Sequence, residues 1–138
     1  MNNRVLLTVA SLLAVLLLSL HLADDVVRGF SPGGMINLMG IAVMVVWLYG
    51  ALVLAERLSG QIIMLLGGLL GVYVSYLHMT GRGMVGGRIA GTDGMRFWVW
   101  TLLANGALSG LSSVLAVRGL WMLWRASTDA PPSVPRRD

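Results

Sequence analysis

The chain has 138 residues, of which 57% are hydrophobic and only 12% charged, with a mean hydropathy of +0.79. A water-soluble domain this short leaves much of its surface exposed and cannot hide so much apolar area, and a charged share about half the usual one argues for the bilayer as its solvent. The net charge is +4 and all the basic residues are Arg; they flank apolar runs, as topology signals and lipid contacts do, so nucleic acid is not an expected partner, and with no Cys the chain has no disulfide, thiolate metal site or Cys nucleophile.

The first apolar run covers 5–22 and follows Asn2-Asn3-Arg4. Read as a signal peptide it would be cleaved after Ala23, which puts His21 at the −3 position where a small residue belongs; the run is also long for a signal core, so a retained signal-anchor helix is expected. The second and third runs, 35–54 and 61–79, are each close to the roughly 20 residues needed to cross about 30 Å of hydrocarbon. Ser31 followed by Pro32 suits the start of the second helix, and Glu56-Arg57-Leu58-Ser59-Gly60 reads as a tight hairpin into the third. In that hairpin Glu56 is expected to form a surface ion pair with its neighbour Arg57, not to act as a base.

The segment 80–96 holds six Gly and three Arg and reads as a wet linker. Gly86 and Gly91 have the glycine spacing of a phosphate-binding loop, but no Lys-Ser/Thr pair follows and no buried strand precedes, so a nucleotide site is not expected. The fourth span is placed at 97–120, although the sequence stays apolar to Leu123 apart from Arg118; a tilt, or a helix continuing along the interface, would explain the excess. The tail 127–138 is Pro/Arg-rich and expected to be disordered. The fold expected is thus all-α: an integral membrane four-helix bundle of four transmembrane helices in a single domain over 1–126. No internal repeat of the kind seen in doubled transporters is evident.

Gly67 and Gly71, and Gly106 and Gly110, are spaced small-xxx-small, which lets helix backbones approach where lipid offers no hydrophobic driving force. Asn105, Ser109, Ser112 and Ser113 could add interhelical hydrogen bonds. Trp98, Trp100, Trp121 and Trp124 fall near the ends of the fourth span, as interfacial anchors would. With the N-terminus inside, Arg4, Arg57, Arg118, Arg125, Arg136 and Arg137 lie on the inner side against Arg28, Arg82, Arg88 and Arg96 outside. The expectation is a bacterial-type inner membrane with both termini cytoplasmic.

One polar constellation stands out. His21, Asp24 and Asp25 end the first span and share a face if the helix continues, and His78 ends the third. Spans one and three run in the same direction, and each His lies 17 residues after its span's polar start at Arg4 or Gln61; the chain's only two histidines should therefore sit at one depth. Imidazole with carboxylate suits Zn²⁺ or another transition metal, two histidines could hold a haem iron, and ionisable groups at membrane depth also handle protons. Solvation at the helix ends is the alternative that needs no ligand. Met35, Met39, Met79, Met84 and Met95 would lie towards the same face, a softer set that would suit Cu(I).

No hydrolase motif is present. The function expected from these features is non-enzymatic: helix-helix association in a homo-oligomer, or as an accessory subunit of a larger membrane complex. A metal or haem site at His21, Asp24, Asp25 and His78 is the alternative, and a small transporter or channel subunit a third.

Overall fold

The computed structural model describes residues 2–31, 33–80 and 93–128. Most of the Gly/Arg linker, with Met84 and its glycine pattern, and nearly all of the expected tail lie outside the described residues. Four helices make up the structure: α1 (Asn3–Val27), α2 (Gly34–Leu52), α3 (Leu58–Met79) and α4 (Met95–Thr128). All four are long and apolar enough to span a membrane.

Helices α1, α3 and α4 outrun the expected spans, whereas α2 stops at Leu52, two residues short of the expected end at Leu54. Helix α1 starts at Asn3, capped by the Asn2 side chain accepting from the Arg4 amide, and continues to Val27, five residues past the expected end. Beyond it the chain turns sharply: the Asp25 carbonyl accepts from the amides of Phe30 (2.8 Å) and Ser31 (3.1 Å). Gly33 and Gly34 follow with φ of +74° and +59°, a left-handed path that glycine takes without the Cβ clash other residues suffer. Helix α2 therefore begins at Gly34, later than Ser31-Pro32 implied, and the Ser31 hydroxyl instead donates to Asn37 Oδ1.

Helix α4 packs most extensively, against α3 and α1, while α2 lies on the outside against those two. The glycines explain the α3–α4 approach. A Cβ on Gly68 would come within 2.8 Å of the Ser109 carbonyl, and one on Gly71 would collide with Ser109 Oγ. On its other side α3 receives the Trp47 ring from α2 over Gly67. Gly106 faces Ser75, and Gly110 meets Val72 at an ordinary 3.8 Å. The glycine faces are thus filled from within the chain.

The seam so formed is polar. Ser11, Thr101, Ser109 and Ser112 are fully buried, as is Asn105. Ser11 and Ser112 join α1 to α4 at 2.8 Å, Asn105 Nδ2 donates to the Gly71 carbonyl at 3.2 Å, and Ser75 Oγ donates to the Leu102 carbonyl at 3.0 Å. Large apolar side chains point the other way, with Leu16, Leu66 and Val114 among the many exposed. A buried polar seam beside an apolar core, with large apolar side chains on the outside, suits a solvent of acyl chains in which helices associate through close packing and hydrogen bonds.

At the end of the bundle opposite the histidines, Asn3 Nδ2 donates to the Leu115 carbonyl and Gln61 lies against Gly119. Helix α4 runs on from there with Trp121, Met122, Leu123 and Trp124 exposed and Arg125 5.0 Å from the Trp121 ring. At about 1.5 Å per residue its 34 residues extend roughly 51 Å, well beyond one hydrocarbon thickness, which accounts for the apolar run that overshoots a span. Glu56 pairs with Arg4 across the bundle end, in place of the expected Arg57.

These contacts rank the glycines. Gly67→Ala, facing the rigid Trp47 ring, is expected to destabilise the protein by about 1–3 kcal/mol, whereas Gly110→Ala should change stability little. Denaturation in detergent micelles, followed by circular dichroism, checks the contrast; equal effects would contradict this packing.

Candidate metal centre

His21 and Asp25 are one helical turn apart on α1, and His78 comes from the last turn of α3. Their ligand atoms converge: one from each residue, all within 4.8 Å of one another. Asp25 Oδ2 lies 3.8 Å from His21 Nε2 and 3.9 Å from His78 Nε2, too far for hydrogen bonds, and the two imidazoles meet edge to face with centroids 5.3 Å apart. His21 and Asp25 are buried, and the His78 side chain is partly exposed, at 19%.

Each of the three side chains is held by its other polar atom. His78 Nδ1 donates to the carbonyl of Val74, one turn back, at 2.8 Å. Because a carbonyl can only accept, Nδ1 carries the proton and Nε2 presents its lone pair. His21 Nδ1 lies 3.4 Å from Thr101 Oγ1. That hydroxyl directs its own proton at the Phe97 and Trp98 carbonyls, both 3.0 Å away, which leaves it a lone pair to accept from Nδ1–H. The His21 lone pair then also falls on Nε2, which is buried and has no hydrogen-bond partner among the described residues. Asp25 Oδ1 accepts from the Trp98 indole Nε1–H at 2.7 Å, so Oδ2 alone faces the imidazoles.

Trp98 does more than hold the carboxylate. Its ring packs on both imidazoles, with centroids 5.0 Å from His21 and 5.7 Å from His78, and it is buried. Of the four tryptophans expected at an interface, Trp100, Trp121 and Trp124 are exposed; Trp98 is not, because Asp25 offers its N–H a partner inside the bundle. Neither Trp98 nor Thr101 was singled out for this cluster by spacing. Their i, i+3 separation puts them on one face of α4, but only the packing shows that this face meets the histidines.

Of the four residues expected to form the site, three come together and Asp24 does not. One residue step turns a helix by about 100°, which carries Asp24 off the face shared by His21 and Asp25. Its Oδ2 accepts from Arg28 Nε at 2.8 Å. Arg28 in turn donates to the Asp93 carbonyl just ahead of α4, next to Gly94, whose φ of +84° and close contact with the guanidinium leave no room for a side chain. The Asp24–Arg28 pair fastens the top of α1 to the start of α4. Of the methionines expected on this face, Met35, Met39, Met79 and Met95 are exposed and Met84 lies outside the described residues; Met39 and Met44 line the cavity beside the cluster, and Ser19 Oγ donates to the Met44 sulfur at 3.4 Å.

Comparisons with protein-family models, with curated proteins and with solved structures found no match to this chain.

The anchoring of Asp25 has a measurable consequence. Trp98→Phe keeps the ring but strips Asp25 Oδ1 of its donor, and should cost about 1–3 kcal/mol. Asp24→Asn breaks a half-buried pair and should cost at most about 1 kcal/mol. Unfolding midpoints of the two variants in one detergent give the comparison, and the reverse order would contradict the assigned roles.

Proposed function

We propose that this chain is a multi-pass membrane protein that binds one divalent transition-metal ion of the zinc class through His21, Asp25 and His78. The observation that carries the reading is the state of the three donors. Both Nε2 lone pairs and Asp25 Oδ2 point at one spot, while Nδ1 of each histidine and Oδ1 of the carboxylate are already engaged. Metal-binding histidines characteristically have the second nitrogen held in this way, which fixes tautomer and orientation. Bonds of about 2.0–2.2 Å put tetrahedral ligands roughly 3.3–3.5 Å apart, so the two carboxylate–imidazole pairs need to close by about half an ångström, and the two imidazole nitrogens, which lie within 4.8 Å of each other, by at most roughly 1.4 Å, to grip an ion.

Two nitrogens and one oxygen form a borderline donor set, suited to Zn²⁺ or Fe²⁺ and lacking the thioether or thiolate that Cu(I) favours. Haem fits less well. The imidazoles touch each other edge to face, with Trp98 packed on both, and a macrocycle would have to force them apart. The assembly reading loses its main support as well, since Gly67, Gly71 and Gly106 are occupied by Trp47, Ser109 and Ser75 of the same chain.

The exposed apolar surface of the four helices supports insertion in a bilayer. The arginine bias supports an N-in, C-in orientation in a bacterial-type inner membrane, with the triad towards the outer face. An even number of spans puts both termini on one side, and the natural absence of Cys makes single-cysteine labelling clean. Asn2→Cys and Ser127→Cys should both react only from the cytoplasmic side; labelling from opposite sides would overturn the topology.

The metal reading is checked by elemental analysis of full-length protein purified in detergent without chelators and then loaded with Zn²⁺. About one equivalent is expected to remain after gel filtration, to be retained in Asp24→Asn and lost in His21→Ala and in His78→Ala. Equal zinc in the parent and both histidine variants would reject the site.

A further inference from the structure

An ion held by three protein ligands keeps at least one coordination position open, and here the surroundings decide where that position faces. On the α4 side the triad is shut by Trp98 and Thr101, both buried. On the opposite side His21, Asp25 and His78 form part of the wall of a cavity of about 400 Å³ between α1, α2 and α3, within the roughly 300–1,000 Å³ usual for ligand pockets. The open position therefore looks into this cavity.

The rest of the wall is apolar, with Leu18, Leu22, Val43, Leu70, Val74 and Leu77 among its residues. Its further polar side chains, Ser31 and Asn37, are hydrogen-bonded to each other. Ile36 and Met39 also line the cavity and are 62% exposed, so it joins the apolar outer surface of the bundle beside α2. A molecule that enters this way must have an apolar body.

Charge defines its head. With the imidazoles neutral, a divalent ion and the Asp25 carboxylate leave one net positive charge in a site walled by hydrocarbon, where unbalanced charge is costly. A ligand with one negative charge on its donor atom removes it. We propose that the cavity binds a single-chain amphipathic lipid with a monoanionic oxygen-donor head, of the fatty-carboxylate class, the head on the open position of the ion and the chain running out past Ile36 and Met39. This inference rests on the metal reading above.

Cobalt(II) in place of zinc makes both steps visible, because its d–d absorption reports coordination. Full-length protein in nanodiscs of zwitterionic lipid would be loaded with Co²⁺ and titrated with decanoate or acetate, which share a head and differ in the chain. Decanoate should shift the spectrum at a concentration at least about tenfold below acetate, no more than burial of two or three methylenes provides. Gly40→Leu, which places a side chain in the cavity where the nearest neighbour is Leu22 at 3.9 Å, should keep the Co²⁺ spectrum and lose the preference for decanoate. That variant separates cavity binding from mere partitioning of decanoate into the bilayer. Val43→Phe fills the same space should Gly40→Leu fail to fold. A Co²⁺ spectrum that responds to both acids alike, or a preference that survives the filled cavity, overturns the lipid inference and leaves the metal site standing. Absence of a Co²⁺ spectrum in the parent overturns both.

Discussion

A carboxylate buried in an apolar bundle is costly unless something inside the bundle receives it, and the arrangement at the histidine end follows from how Asp25 meets that condition. Its side chain takes the Trp98 indole N–H at 2.7 Å, which fixes the rotation of α4 about its axis relative to α1. Its backbone carbonyl takes two amides from the following turn, which sets where the chain leaves for α2. Its second oxygen faces both imidazoles and so ties the register of α3 to that of α1. One residue thereby couples all four helices at this end.

The other constraint is the distance between α3 and α4. Where Gly68 meets the Ser109 backbone, the helices are close enough for Asn105 and Ser75 to hydrogen-bond to carbonyls of the opposite helix. Those bonds need the small residues, since with larger side chains at Gly68 and Gly71 the axes would part and Asn105 would be left buried without a partner. Seam and glycines are therefore one device. In lipid, where apolar burial between helices yields little, contacts of this type carry the association.

Much of this was legible in the sequence, and the rest failed for a definite reason. The four helices followed from the lengths of the apolar runs. The common depth of His21 and His78 followed from counting residues along two helices of the same direction, which needs only the rise per residue. What depth cannot give is rotation. Asp24 and Asp25 differ by one position and have the same composition signal; the choice between them depends on which side of α1 faces α4, and that is decided by packing. Trp98 was misplaced for the same reason, since a tryptophan at the start of a span looks like an interfacial anchor until its azimuth is known. Pairing of Glu56 with Arg4 in place of Arg57 was equally hidden, because it depends on which helix ends meet. The helix lengths were underread for another cause: hydropathy marks where the apolar stretch stops, while hydrogen bonding and capping mark where the helix stops, and both α1 and α4 continue past the first limit.

These features together give the bundle a buried polar seam beside an apolar core built on Leu7, Trp47 and Met64. Ser11 and Ser112 are buried and bonded to each other, while Ser109 packs against Gly68 and Gly71 and Asn105 donates to the Gly71 carbonyl. The cavity that His21, Asp25 and His78 border opens laterally beside α2, the least packed helix, which touches neither Trp98 nor the serine seam through the hydrogen bonds described. A helix held by fewer interactions opens at lower free energy than its neighbours. The same packing that makes α4 the backing of the triad leaves α2 the more lightly packed side, anchored through Trp47, Met44 and Ala51. The placement of His21, Asp25 and His78 between a tightly packed α4 and a more lightly packed α2 is therefore a property of how the four helices share their contacts.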